Sequence, residues 1–361
     1  MTNSFFSLGL MSGTSMDGID ASIIQSNGTN EFKPIYDEFI PYEKELLKNL
    51  SNLREKIDKP EDLKIYIKDL VSLEKKITLA HAEHANKILK NIKKEVSLIG
   101  FHGQTIFHDA DRKISKQLGD GNLLSQLTQK TVVYDFRQND LKNGGQGAPL
   151  TPIFHSLLAG NLKTDSILFL NLGGIANETT VYKNKNFYAR DIGPGNCLID
   201  QWIKLKSKKN YDKNGNIAKV GKVNKIILDQ ALDIFMNSSL YEKKSYDTKD
   251  FDLSFVRGLS LEDGAATLTE FTAEILSKKI SGNLIYACGG GRKNHYLVER
   301  IEKKINNTIH QIEELNINGD FVESQAFAYL AIRSKLNLPI SFPETTGCAK
   351  PVSGGLIVNN F

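Results

Sequence analysis

Cysteine is scarce: the three thiols, Cys197, Cys288 and Cys348, are odd in number and none is spaced CxxC. That argues against a disulfide framework or a zinc site and leaves three reduced thiols packed near backbone turns as the expectation. Long hydrophobic runs are missing too. No 18 consecutive apolar residues occur, and the opening MTNSFFSLGLMSGTS lacks a positively charged start, so no membrane partner is expected and a cytoplasmic protein is. Net charge is small: 46 Lys plus Arg against 42 Asp plus Glu leave +4, scattered except for Lys206, Lys208 and Lys209. Without a basic stripe interleaved with aromatics, nucleic acid is not an expected partner. Also absent are low-complexity segments, the Gly-Lys-Ser/Thr ending of a Walker P-loop, and HExxH zinc spacing, since His81 and His84 stand only three apart. Those two histidines are expected on an ordinary polar or interface face, and His155 in packing.

What is present fits a two-domain enzyme. A chain of 361 residues, 40% hydrophobic and 24% charged, is too long for one ordinary core and suits two α/β domains with a cleft between them. Residues 5–12 and 19–25 read as strands flanking the turn GTSMDG, with a third strand near 32–40. From Lys59 to Val96, apolar residues including Leu63, Ile67, Leu70, Leu73, Ile77, Ala80, Ile88 and Ile92 recur at helical spacing. A buried strand at 96–100 runs into FHGQTIFH. Another, at 131–136, ends in the polar, glycine-rich DFRQNDLKNGGQGAP, which predicts a loop followed by a helix over 151–158. SILFLNL, GGIAN and Glu178–Tyr182 then repeat the strand, small-residue turn and strand order of the N-terminus, a weak internal duplication. Helices are expected near 197–205, 226–235, 261–277 and 321–334, and a strand in NLIYACGG. The domain boundaries implied are 1–160 plus 340–361, and 161–339.

Four glycine turns carry the chemical signal. Ser12–Gly18 offers two glycines, hydroxyls at Ser12, Thr14 and Ser15, and the Asp17 carboxylate, a set suited to polyphosphate and a nearby metal, although the same residue types dominate ordinary turns. LGGIAN at 172–177, DIGPGN at 191–196 and CGGGRKN at 288–294 each adjoin a predicted strand. In α/β sheets, ligands bind beyond the carboxyl ends of strands, where only glycine lets backbone approach closely. Four such loops from both halves of the chain suggest a nucleotide held between two domains.

The segments GLMSGTSMDGIDA, FHGQTIFH, DFRQNDLKNGGQGAPL, NLGGIANETT, RDIGPGNCLID and CGGGRKNHYL, in this order and over nearly the full length, resemble the pattern of the anhydro-N-acetylmuramic acid kinase family. The resemblance implies a two-domain actin-like (RNase H-like) fold with an active-site cleft between the domains, a homodimer, and use of ATP and water. The reaction implied converts 1,6-anhydro-N-acetylmuramic acid into N-acetylmuramic acid 6-phosphate during peptidoglycan recycling. Departures are Ile192 where the family often has Thr, Arg292 and Lys293 in the adenosine loop, and a lysine-rich insertion after Trp202.

Opening an internal anhydro bridge releases the oxygen that must receive the phosphoryl group, so a single base that activates water could suffice where a glycosidase needs two carboxylates. Asp191 is the candidate base, expected to be held by the glycine-proline turn that follows it; an Asp at that place commonly caps a helix instead. Mg²⁺ is expected on the ATP phosphates, held by Asp17 and Asp191 through waters. ATP would engage Gly13, Thr14, Ser15, Met16, Asp17, Gly18, Ile19 and Asp20, opposed by Gly173 and Gly174, with Gly289, Gly290, Gly291 and Asn294 for ribose and adenine. For the sugar, His102, Gln104, Arg137, Asp140 and Gln146 supply polar groups. Arg137 is suited to the lactyl carboxylate or equally to a salt bridge with Asp135 or Asp140. Glu323, by resemblance, joins them; read alone it is a first-turn helix acid. Two other readings remain at this stage: a kinase of an ordinary hexosamine hydroxyl, and an Hsp70-like ATPase, which would need a peptide-binding domain.

Overall fold

The computed structural model describes residues 4–13, 15–160, 164–243 and 245–361. The chain divides into two units, Met1–Asn161 with Phe321–Phe361, and Leu162–Asp320.

In the first unit, β1 (Phe5–Ser12) and β2 (Gly18–Ser26) form the expected antiparallel hairpin, and β3 (Phe32–Pro41) pairs antiparallel with β2. On the other side of β1 lie β4 (Leu98–Asp109) and then β6 (Thr131–Tyr134), both parallel to it. β5 (Ile114–Leu118) turns back on β4, and β12 (Leu356–Val358) closes the edge antiparallel to β6. The second unit repeats the plan. β7 (Ser166–Leu172) has β8 (Ile175–Tyr182) and β9 (Phe187–Pro194) as successive antiparallel neighbours on one side. On its other side come the parallel β10 (Ile285–Cys288) and β11 (Ile309–Gln311). Each sheet thus has a hairpin-paired first strand, a third strand beyond the hairpin, and two parallel strands on the opposite flank. This repeated α/β topology is the RNase H-like plan of the actin-like fold, and it gives the faint internal duplication of the sequence its structural form.

One face of the first sheet is sealed by apolar packing. Leu8, Leu10, Ile19, Ala21 and Ile23 cluster with Leu46, Leu50, Leu53, Leu70, Leu73 and Ile77 from the helices Lys44–Lys56 and Ile67–Asn91. The other face carries the helix Val322–Lys335, buried on nearly every side and so lacking the amphipathic stripe of a surface helix. Its close seat is made by glycines: a methyl group on Gly9 would stand 1.9 Å from the Ser324 carbonyl oxygen, and one on Gly100 2.2 Å from that of Phe327. These contacts correct the expected boundary, because residues 321–339 complete the first unit rather than the second. The second core gathers Leu168, Leu170 and Leu172 with Leu198, Trp202, Leu268, Phe271 and Leu276.

Two local expectations change. DFRQNDLKNGGQGAP is not all loop, since Gln138–Lys142 is helical. Asp191 lies inside β9, which continues through Pro194, rather than ahead of the turn.

Candidate active site

The β1–β2 turn is held from below. Gly13 carbonyl oxygen accepts from Met16 N–H at 3.1 Å and from the Gln104 side-chain amide at 2.9 Å. Ser15 Oγ donates to Asp17 at 2.5 Å, and Met16 sits in the left-handed region at φ 57°. Ser15 and Asp17 are exposed, Gly18 and Ile19 are buried, and Asp20 is half-buried in the strand. Gly18 is required by space: a methyl group there would lie 2.3 Å from Ile40 O. Thr14, also expected to bind ATP, lies outside the described residues. The exposed Asp17 carboxylate, beside hydroxyl and backbone oxygens, has the hard-donor chemistry that suits a largely hydrated Mg²⁺.

Four of the expected sugar-binding residues form one connected array in the same unit. Gln104 is fully buried and spends its amide on the β1–β2 turn; its Oε1 has no partner among the described residues. Arg137 donates through Nη1 to Gly147 O at 2.8 Å and through Nη2 to His102 Nε2 at 3.0 Å. Since His102 Nδ1 sits 2.9 Å from Gly103 O, which can only accept, the ring carries its proton on Nδ1 and offers Nε2 to Arg137. Burial, with the guanidinium alongside, pushes His102 down to about 3, which keeps the ring neutral. Asp140, 1% exposed, accepts from Gly147 N–H and Thr346 Oγ, both at 2.6 Å, and so holds the glycine-rich loop. Gln146, half-buried on that loop, is tied by its N–H to Thr346 O. Glu323 is half-buried in the first turn of the helix Val322–Lys335.

In the second unit, three glycine turns far apart in sequence are stitched together. Gly195 N–H and Cys197 N–H donate to Gly174 O, and Asn196 N–H donates to Gly173 O. A methyl group on Gly195 would lie 2.2 Å from Gly173 O, and one on Gly291 2.5 Å from Leu172 O, so the turns close only with glycine there. Gly289 has φ 78°, while Gly290 faces open space. Asn294 joins them by donating to Asn196 Oδ1 at 3.0 Å while its own Oδ1 caps the helix His295–Ile305. Arg292, read from sequence as a departure in the adenosine loop, is a buried brace bonded to Gly289 O, Asp320 and Glu313.

Asp191 sits at an irregularity in strand pairing: Ala176 faces Gly193 and Asn177 faces Asp191, leaving Ile192 as an extra residue. Such a bulge re-aims the flanking side chains. The half-buried carboxylate accepts from Tyr246 N–H at 2.8 Å. The sequence signal for this was weak, because a bulge is defined by the partner strand.

The sequence reading gave no role to Asn196, 8% exposed and central to the three turns, with Nδ2 unpartnered among the described residues. Its place in DIGPGN was the available clue.

A family model described as "Anhydro-N-acetylmuramic acid kinase" matches residues 5–360. The anhydro-N-acetylmuramic acid kinase of Pelagibacter ubique is 51% identical, with both chains covered in full. That of Zymomonas mobilis is 39% identical over 97% of this chain and 98% of its own. The chain belongs to the anhydro-N-acetylmuramic acid kinase family. Among solved structures, the Acidaminococcus fermentans (R)-2-hydroxyglutaryl-CoA dehydratase component A covers 92% of this chain and 99% of its own, at TM-score 0.43 and 12% identity. Among the described residues of this family member, no helix is long and apolar enough to cross a membrane.

Proposed function

We propose that this chain uses ATP and water to open 1,6-anhydro-N-acetylmuramic acid and phosphorylate its O6, giving N-acetylmuramic acid 6-phosphate and ADP. Family membership supports the kinase activity and the substrate. The observation that carries the mechanism is Asp191, re-aimed by a strand bulge and held by a backbone N–H beside the stitched glycine turns.

In this mechanism Asp191 removes a proton from water as the water oxygen bonds to C1. The C1–O6 bond breaks, O6 takes the γ-phosphoryl group, and the bond to the β-phosphate oxygen breaks to release ADP. No separate acid is required, because the departing oxygen bonds to phosphorus and the negative charge leaves on ADP. Gly13, Thr14, Ser15, Met16, Asp17, Gly18, Ile19 and Asp20 are assigned to the phosphates with Gly173 and Gly174. Gly289, Gly290, Gly291 and Asn294 are assigned to the nucleoside, and the unpartnered amide of Asn196 joins them. Mg²⁺, held by Asp17 and Asp191 through waters, would neutralise phosphate charge. Arg137, Gln146 and Glu323 are assigned to the sugar. His102, Gln104 and Asp140 act on it by fixing Arg137, the phosphate turn and the glycine-rich loop. A cytoplasmic homodimer is part of the proposal, checked by light scattering.

The test is a mass-spectrometric assay with ATP, the anhydro sugar and ¹⁸O-water. Label at C1 with phosphate on O6 supports the reading, and unlabelled C1 supports transfer to an ordinary hydroxyl.

A further inference from the structure

Beneath the phosphate turn runs a buried chain of three side chains that the mechanism does not use. Ser12 Oγ, at the end of β1, lies 2.6 Å from Tyr42 OH and 3.2 Å from His81 Nε2. His81 Nδ1 lies 2.8 Å from Ile77 O. All three side chains are buried, His81 completely.

Only one arrangement of protons satisfies this chain. A carbonyl oxygen cannot donate, so Nδ1 carries hydrogen towards Ile77. Burial pushes His81 down to about 4, so the ring is neutral and Nε2 is a bare acceptor. Ser12 must then donate to Nε2, and having spent its proton it accepts from Tyr42. Burial raises the Tyr42 phenol as well, so that proton stays in place. Tyr42 also donates its backbone N–H to Asp17 O at 2.9 Å. One residue therefore grips both ends of the turn, through its hydroxyl at Ser12 and its backbone at Asp17.

We propose that His81 and Tyr42 are positioning residues for the phosphate turn: His81 fixes the Ser12 hydroxyl, and Tyr42 clamps Ser12 and Asp17 so that the turn meets ATP preformed. This rests on the reading that the turn binds ATP phosphates. A preformed turn binds more tightly because ordering costs are met in folding rather than in binding. His81 lies on the apolar stripe of its helix, one turn after Ile77, and its ring packs near Phe101 at 4.9 Å and Tyr42 at 6.2 Å. A phenylalanine keeps that packing and deletes the acceptor for Ser12 together with the Nδ1–H donor to Ile77 O.

The experiment measures ATP dissociation constants by calorimetry, with melting temperatures, for the full chain and for His81→Phe, His81→Gln, Ser12→Ala, Asp17→Asn and the His81→Phe/Ser12→Ala double variant. His81→Phe is expected to weaken ATP about tenfold, about 1.4 kcal/mol, and His81→Gln, which restores an acceptor, to recover most of it. The double variant is expected to bind no worse than the weaker single variant, because Ser12→Ala already removes the hydroxyl that His81 holds. Independent multiplication of the two effects overturns the proposal, as does a fall in melting temperature with ATP affinity intact. If Asp17→Asn weakens ATP while His81→Phe does not, the inference fails and the phosphate-turn reading survives. If neither does, the phosphate-turn reading itself fails.

Discussion

The proposed mechanism concentrates the chemistry in the Asp191 carboxylate, and Asn at this position keeps an oxygen for Tyr246 N–H while losing the basicity. Asp191→Asn is therefore expected to lower kcat by about 10²–10⁴, the range for general-base loss, with the melting temperature unchanged and ATP affinity lowered far less than kcat, since the amide keeps an oxygen for a metal-bound water. Steady-state kinetics beside calorimetry reads this out. A second residue-scale expectation concerns pH. His81 is held at about 4, and His102 and His155 at about 3, all primarily by burial. Each folded value lies below the ordinary 6.5, so the unfolded chain binds more protons. Stability is then full above pH 6.5 and declines as pH falls from there towards 4. Melting temperature should drop by several degrees or more between pH 7 and 5, and His155→Phe should flatten that dependence. Residue types told part of this in advance: Asp191 was legible as an acid beside a glycine-proline turn. The role of His81 was not: it was expected with His84 on an ordinary polar or interface face, whereas the structure buries it completely beneath Ser12, a contact between residues 69 apart that helical spacing does not reveal.

Among the elements, the glycine turns explain most of what the sequence disclosed. Short apolar runs ending in glycine turns announced strand ends: β1 formed before Gly13, and β7 and β10 before Gly-Gly. The helix Val322–Lys335 was equally readable from spacing, but its partner was not. Side chains at Gly9 and Gly100 are missing for the sake of a segment more than 200 residues away. That distance is why the boundary was misplaced. Gly9→Ala drives a methyl group against helix backbone and is expected to cost about 3 kcal/mol or more, measured by urea unfolding. In the second unit, Gly195→Ala should part the turns at 173–174 and 195–197, lowering melting temperature and weakening ATP by more than tenfold. Gly290→Ala, facing open space, should leave the melting temperature unchanged.

At the scale of the whole molecule, one sheet plan is built twice, and each copy carries its own strand-end glycine turns. The α/β class and the repeat could be read from strand order in the sequence. The substrate could not: composition and spacing reach only a metabolite kinase, and the anhydro sugar enters through family resemblance and membership. The claim that sets this kinase apart is that water, activated by Asp191, attacks C1 while O6 leaves for phosphorus. The most direct measurement is turnover of the anhydro sugar with ATP in ¹⁸O-water, reading oxygen at C1 by mass spectrometry. One ¹⁸O at C1 per phosphate on O6 is the result expected, lost in step with activity in Asp191→Asn. Phosphorylated product with unlabelled C1, or full labelling and turnover by Asp191→Asn, would contradict it.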